Sequence, residues 1–117
     1  MTSAGIIVKQ RDIALISFPF SDLSATKKRP ALVVSNDSFN SHGEDAICCL
    51  ITSNPEETPH SVFISNKDME SGHLEFDSKV KPHKLFTADK RLILKTLGKL
   101  GSGKFAQVVK EINKIIS

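Results

Sequence analysis

The chain has 117 residues, of which 39% are hydrophobic and 25% charged, the balance of an ordinary globular protein. That excludes disordered and fibrous classes and leaves room for one core and one domain over residues 1–117. The formal charge is +3, unevenly placed: Met1 to Ser78 carries 6 basic and 11 acidic residues, Lys79 to Ser117 carries 10 basic and 2 acidic.

Such a basic last third favours a polyanion or an acidic protein segment as partner, or is simply a lysine-rich solvated helical surface. The N-terminus lacks a basic start followed by a sustained apolar core. No stretch approaches the ~18 uncharged apolar residues of a spanning helix, so a cytoplasmic protein without a membrane partner is expected.

Asp12 to Phe18 alternates apolar positions and meets Pro19, which predicts a first strand over Ile13 to Phe18. Ser21 to Lys28 is polar, has no periodicity and leads into Lys27-Lys28-Arg29-Pro30, the pattern of a mobile basic loop. Ala31 to Ser35 and Ala46 to Thr52 are apolar runs of strand length, joined by the polar connection Asn36 to Asp45.

After a break over Pro55 to Pro59, Ser61 to Ser65 reads as a fourth strand and Leu74 to Val80 as a fifth, with Ser71-Gly72 as the turn between them. Asp89 is placed to cap a short helix reaching Leu94 or Lys95, with Gly98 beyond its end. Ser102 is placed to cap a longer one, in which Phe105, Val108, Val109, Ile112, Ile115 and Ile116 recur at helical spacing. That stripe must lie on the sheet or on a second subunit. Strands followed by helices predict a mainly β protein with α-helix attached at one end.

Most motifs that carry chemistry are absent. Gly98 to Lys104 has the spacing of a phosphate-binding loop, but Phe105 stands where a hydroxyl must reach magnesium. His42, His60, His73 and His83 never fall at ligand spacing, so no metal and no cofactor are expected. Cys48 and Cys49 are adjacent in an apolar run and read as buried free thiols.

One pair of positions remains. Arg29 stands before a strand and Thr52-Ser53-Asn54 ends its neighbour, so antiparallel pairing brings a guanidinium and hydroxyls to one edge. The guanidinium can hold two phosphate oxygens and the threonine hydroxyl can donate to a third. The alternative is a surface ion pair for Arg29 and a turn cap for Thr52.

Asp12-Ile13, Phe18-Pro19-Phe20, Lys28-Arg29-Pro30-Ala31-Leu32-Val33-Val34-Ser35-Asn36 and Ile51-Thr52-Ser53-Asn54 closely resemble the MazF/PemK family of type II toxin–antitoxin ribonucleases. The likeness continues more weakly through Gly72 to Val80 and Leu97 to Leu100. It implies the SH3-like barrel of MazF/PemK/CcdB-type toxins with a C-terminal helix, a homodimer, and inhibition by a cognate antitoxin.

It also implies sequence-selective, metal-independent cleavage of single-stranded RNA to 2′,3′-cyclic phosphate and 5′-hydroxyl ends. The family's catalytic arginine and threonine map onto Arg29 and Thr52. Lys27, Lys28, Ser53, Asn54, Asp77 and Ser78 are expected to bind RNA, and the proton acceptor is unassigned. With no Trp or Tyr, Phe18 and Phe20 are candidates for base stacking.

The sequence departs from the family at Arg11, where a glycine is usual, and at Ser24-Ala25. Two other readings stand beside cleavage: a toxin of the same fold that inhibits DNA gyrase, and a non-enzymatic nucleic-acid-binding barrel.

Overall fold

The computed structural model describes residues 6–19, 26–56 and 58–117. The described residues form seven strands and two α-helices: β1 Asp12–Pro19, β2 Thr26–Val33, α1 Asp37–Ser41, β3 Asp45–Thr52, β4 Val62–Ile64, β5 Met69–Gly72, β6 Ser78–Asp89, β7 Ile93–Leu100 and α2 Ser102–Ile116. All strand pairs are antiparallel, in the order β4-β6-β3-β2-β1-β7-β5. The two edge strands are joined by residues 65–68 alone, which span at most ~18 Å. The sheet therefore curls until its edges approach one another, giving a half-barrel.

Alternation along the strands divides the core between two faces. Ile13, Leu32, Cys49, Ile51, Val80 and Leu100 pack on one face with Phe105 and Val108 of α2. Ala14, Ile16, Ala31, Val33, Ala46, Cys48 and Ile93 pack on the other with Val8, Phe18 and Phe86. The adjacent cysteines thus point to opposite faces, both as buried free thiols, as expected. Burial pushes each thiol pKa up to about 12.

The helical stripe lies on the sheet. Phe105 and Val108 are buried, each stabilising by roughly 1.5–3 kcal/mol, and Val109 and Ile112 pack beside them. Ile115 and Ile116 remain exposed. Gly101, not Ser102, is the N-cap, and Ser102 is the first helical residue.

Several elements differ from the sequence reading. Asp89 does cap a turn, its carboxylate accepting from the Arg91 N–H, but the turn is a single one over Lys90–Leu92 and β7 follows. β7 pairs with both β1 and β5, and those two ladders outweigh the local helical pattern. Ser71-Gly72 is not a turn but the end of β5, and the predicted fifth strand begins only at Ser78. The polar connection Asn36 to Asp45 holds a short helix, α1, which Asn36 caps.

Gly72 and Gly98 pair across β5 and β7 at very close approach. A Cβ on Gly72 would sit 2.2 Å from the Leu97 carbonyl oxygen and one on Gly98 2.4 Å from that of Ser71. Gly98 therefore permits the contact of two strands and does not end a helix.

Arg11 explains its own departure. Its φ is +80°, the left-handed region that favours glycine and costs other residues about 1–3 kcal/mol. Its guanidinium offsets this by donating to the Leu100 carbonyl at 2.8 Å and to Glu70 at 2.9 Å. The turn into β1 is thus kept, tied to β7 by a side chain that glycine lacks. Ser24 and Ala25 lie outside the described residues.

Candidate active-site cleft

The site begins where two strands part. β2 pairs with β3 through Val33 with Cys48, Leu32 with Cys49 and Ala31 with Leu50, and no further pair follows among the described residues. The next residue is Pro30, which has no N–H to give to a ladder. Beyond it β2 stays on β1, with Pro30 opposite Leu15 and Arg29 opposite Ile16, while β3 stays on β6, with Thr52 opposite Lys79. Carried on by two residues, the β2–β3 register sets Arg29 across from Thr52.

Both residues line the cleft of about 580 Å³ that opens at this split. Its base is apolar, formed by Leu15, Pro30, Ile51, Leu74 and Leu97. Lys27, Lys28 and Arg29 line the cleft from β2, Thr52 and Ser53 from the end of β3 and the residue after it, and Lys95 from β7. His73, Glu75, Phe76 and Ser78 complete the lining. An apolar base with a few convergent polar groups is the common form of a ligand site.

Each wall is held from behind. The Asn54 N–H donates to Thr52 Oγ1 at 3.1 Å and the Glu56 N–H to Asn54 Oδ1 at 2.9 Å. Lys79 Nζ donates to the carbonyls of Pro55 and Glu56. Thr52 therefore does cap a turn, but through its oxygen lone pair, and its hydroxyl proton is still available to donate. Asn66 likewise grips the backbone of buried Leu74 twice, donating to its carbonyl at 3.0 Å and accepting from its N–H at 2.6 Å. His73 and Glu75 flank that anchored residue.

The sequence-derived candidates divide accordingly. Arg29, Thr52, Lys27, Lys28, Ser53 and Ser78 share the cleft; Asn54 and Asp77, both exposed, do not line it. Ser78 is buried and its hydroxyl donates to the Phe76 carbonyl at 2.9 Å. Asn54 orders the loop after Thr52. Lys27 to Pro30 belong to β2 and not to a loop, so their cations sit on a framework. Phe18 packs on Phe86 with ring centroids 5.3 Å apart and is core; Phe20 lies outside the described residues.

His73, Glu75, Phe76 and Lys95 were not anticipated. His73 carries no spacing signal, and Lys95 was read into a helix.

The basic last third is largely engaged within the fold. Lys99 pairs with Asp12 at 3.1 Å, Arg91 with Asp89 at 2.6 Å and Lys114 with Glu111 at 3.1 Å. Lys79 and Lys90 donate to backbone carbonyls. Among the described residues no ion pair engages Lys27, Lys28 or Arg29. The cleft's positive charge therefore comes mainly from β2, with Lys95 added from β7. Among the described residues, no three histidine, cysteine or carboxylate side chains gather as metal ligands, and no helix is long and apolar enough to cross a membrane.

The chain is similar to known proteins over nearly its whole length. The family model for the PemK-like, MazF-like toxin of type II toxin-antitoxin system matches residues 9–116. A chain of the MazE-MazF complex from Deinococcus radiodurans superimposes with a TM-score of 0.79 at 18% identity, covering 95% of this chain and 97% of that one. An endoribonuclease in complex with its cognate antitoxin from Mycobacterial species gives 0.71 at 18%, covering 92% and 91%. Mycobacterium tuberculosis toxin MazF-mt6 gives 0.71 at 17%, covering 89% and 94%. No curated protein sequence matches significantly. These likenesses share the curled half-barrel with its C-terminal helix, the fold expected from the sequence.

Proposed function

The chain belongs to the PemK-like, MazF-like toxins of type II toxin–antitoxin systems, and from that premise we propose that it is an endoribonuclease acting on single-stranded RNA at the cleft between β2 and β3. The observation that carries this reading is the meeting of Arg29 and Thr52 in one cleft, where the β2–β3 ladder stops at Pro30.

The RNA supplies its own nucleophile. The 2′-oxygen bonds to phosphorus and the bond from phosphorus to the 5′-oxygen breaks, leaving a 2′,3′-cyclic phosphate and a 5′-hydroxyl. Arg29 holds the non-bridging oxygens through its fork of N–H donors, and Thr52 donates its hydroxyl to the same phosphate. Lys27, Lys28 and Lys95 draw the strand in.

Arg29 is a poor base, because a guanidinium keeps its proton. The 2′-proton passes instead to His73 or Glu75, the cleft-lining imidazole and carboxylate, and the 5′-oxygen takes one from Lys95 or water. Ser53 lies at the rim for a sugar or base contact. Asn54 and Asp77 act on RNA only beyond the cleft.

The protein works as a homodimer, and a cognate antitoxin blocks the cationic cleft with an acidic segment. The solved relatives described as antitoxin complexes support that partner.

The test is to incubate the purified protein with a long single-stranded RNA in EDTA and map the new ends. Cyclic phosphate and 5′-hydroxyl ends at recurring sequences are expected. Intact RNA would end the ribonuclease reading, and binding without cutting would favour the non-enzymatic barrel.

A further inference from the structure

We propose that Phe76 is the platform on which an unpaired nucleobase stacks while Arg29 and Thr52 hold the neighbouring phosphate. The inference deepens the nucleic-acid reading of the cleft and rests on it.

The chain has seven phenylalanines and no other large aromatic residue. Phe105 is buried under α2, and Phe18 and Phe86 pack on one another. Phe39 on α1 and Phe63 on β4 are half-exposed and lie outside the cleft lining. Phe20 lies outside the described residues; among the described phenylalanines it is Phe76 that lines the cleft, and it leaves 62% of its surface to solvent.

A ring this exposed is ordinary on a loose loop, but the backbone beneath Phe76 is held. The Ser78 hydroxyl donates to the Phe76 carbonyl from the first residue of β6, and Asn66 clamps Leu74 two residues earlier. The ring is therefore presented, not merely uncovered, in the cleft that Lys27, Lys28 and Arg29 also line.

Cations that track phosphates and an aromatic face that takes a base are the two halves of a single-strand site. A duplex hides its base faces, so this pairing selects unpaired nucleic acid. It also separates two kinds of contact: the cations act on any polyanion, whereas the ring responds to a base.

The absence of Trp and Tyr makes this directly measurable. In a Phe76→Trp variant the indole is the only one in the chain. It is titrated with a single-stranded 2′-O-methyl RNA, which has no free 2′-hydroxyl and is not cleaved. Saturable quenching is expected with that strand, with little change from inorganic polyphosphate or poly-glutamate at equal charge.

Phe76→Ala should weaken binding of the same strand on the order of 5- to 100-fold, with Phe76→Tyr restoring it. Equal emission changes from polyphosphate or poly-glutamate, or undiminished binding by Phe76→Ala, would overturn the proposal. Because the strand cannot be cut, failure of RNA cleavage elsewhere sinks the ribonuclease reading and leaves this titration to stand or fall alone.

Discussion

The two ends of the β2–β3 pair are made of the same two strands and do opposite work. From Ala31 to Val33, opposite Cys48 to Leu50, the ladder is closed, the β2 side chains are fully buried, and the thiols opposite are pushed up to about 12 and chemically quiet. One residue further, at Pro30, the ladder stops, and Arg29 and Thr52 stand at a cleft with an apolar base. One missing backbone donor marks the passage from core to site. The closed end supplies the rigidity that holds the open end to its geometry.

The comparison is tested most severely at the proton acceptor. If it lies on the wall facing the open end, one of His73→Gln and Glu75→Gln should slow cleavage by about 10²–10⁴-fold while leaving unfolding unchanged. Wild-type rates in both variants would move proton transfer out of the cleft. At the closed end, Leu32→Ala should destabilise by about 2–5 kcal/mol in urea denaturation. A loss below 1 kcal/mol would mean this end is not the anchor.

The thiols give a pH-dependent form of the same contrast. Their ordinary pKa of 9.0 rises to about 12 in the fold, so the folded state prefers them protonated. That contribution is fully present below pH 9 and is lost as the pH climbs toward 12, so stability should fall across that window. Thiol reagents at pH 8 should react only after denaturant is added; prompt reaction of native protein would contradict the burial. Smallest is Pro30→Ala, which returns the N–H at the boundary and should change stability by no more than about 1 kcal/mol. If Pro30 stops the ladder, hydrogen-exchange protection should extend to residue 30 and cleavage should slow.

The parts legible in the sequence were those specified locally. Alternation marked β1, a continuous apolar run of strand length marked β3, helical spacing marked α2, and adjacency within a strand put Cys48 and Cys49 on opposite faces. Thr52 was visible as the end of an apolar run and Arg29 as the cation just before another, although β2 itself begins earlier, at Thr26.

What could not be read depends on residues far apart in the chain. β7 is a strand because β1 and β5 flank it, and Asp89 caps only one turn before it. Gly72 and Gly98 looked like punctuation until their backbones were brought together. His73, Glu75 and Phe76 reach the cleft because Asn66 clamps Leu74 and Ser78 holds Phe76, contacts with no periodic signature. The basic last third looked like a binding surface, yet Lys79, Lys90 and Lys99 tie distant parts of the fold together and Arg91 and Lys114 sit in local ion pairs.

The central claim is that Arg29 serves the cleft and not the fold, and one paired measurement on Arg29→Ala addresses it. Cleavage of single-stranded RNA in EDTA is followed beside the urea unfolding midpoint of the same preparation. Cleavage should fall by about 10²–10³-fold, the loss typical of a preorganised transition-state donor, with stability within about 0.5 kcal/mol of wild type. Undiminished cutting, or a loss of activity that merely follows a loss of folded protein, would contradict the account.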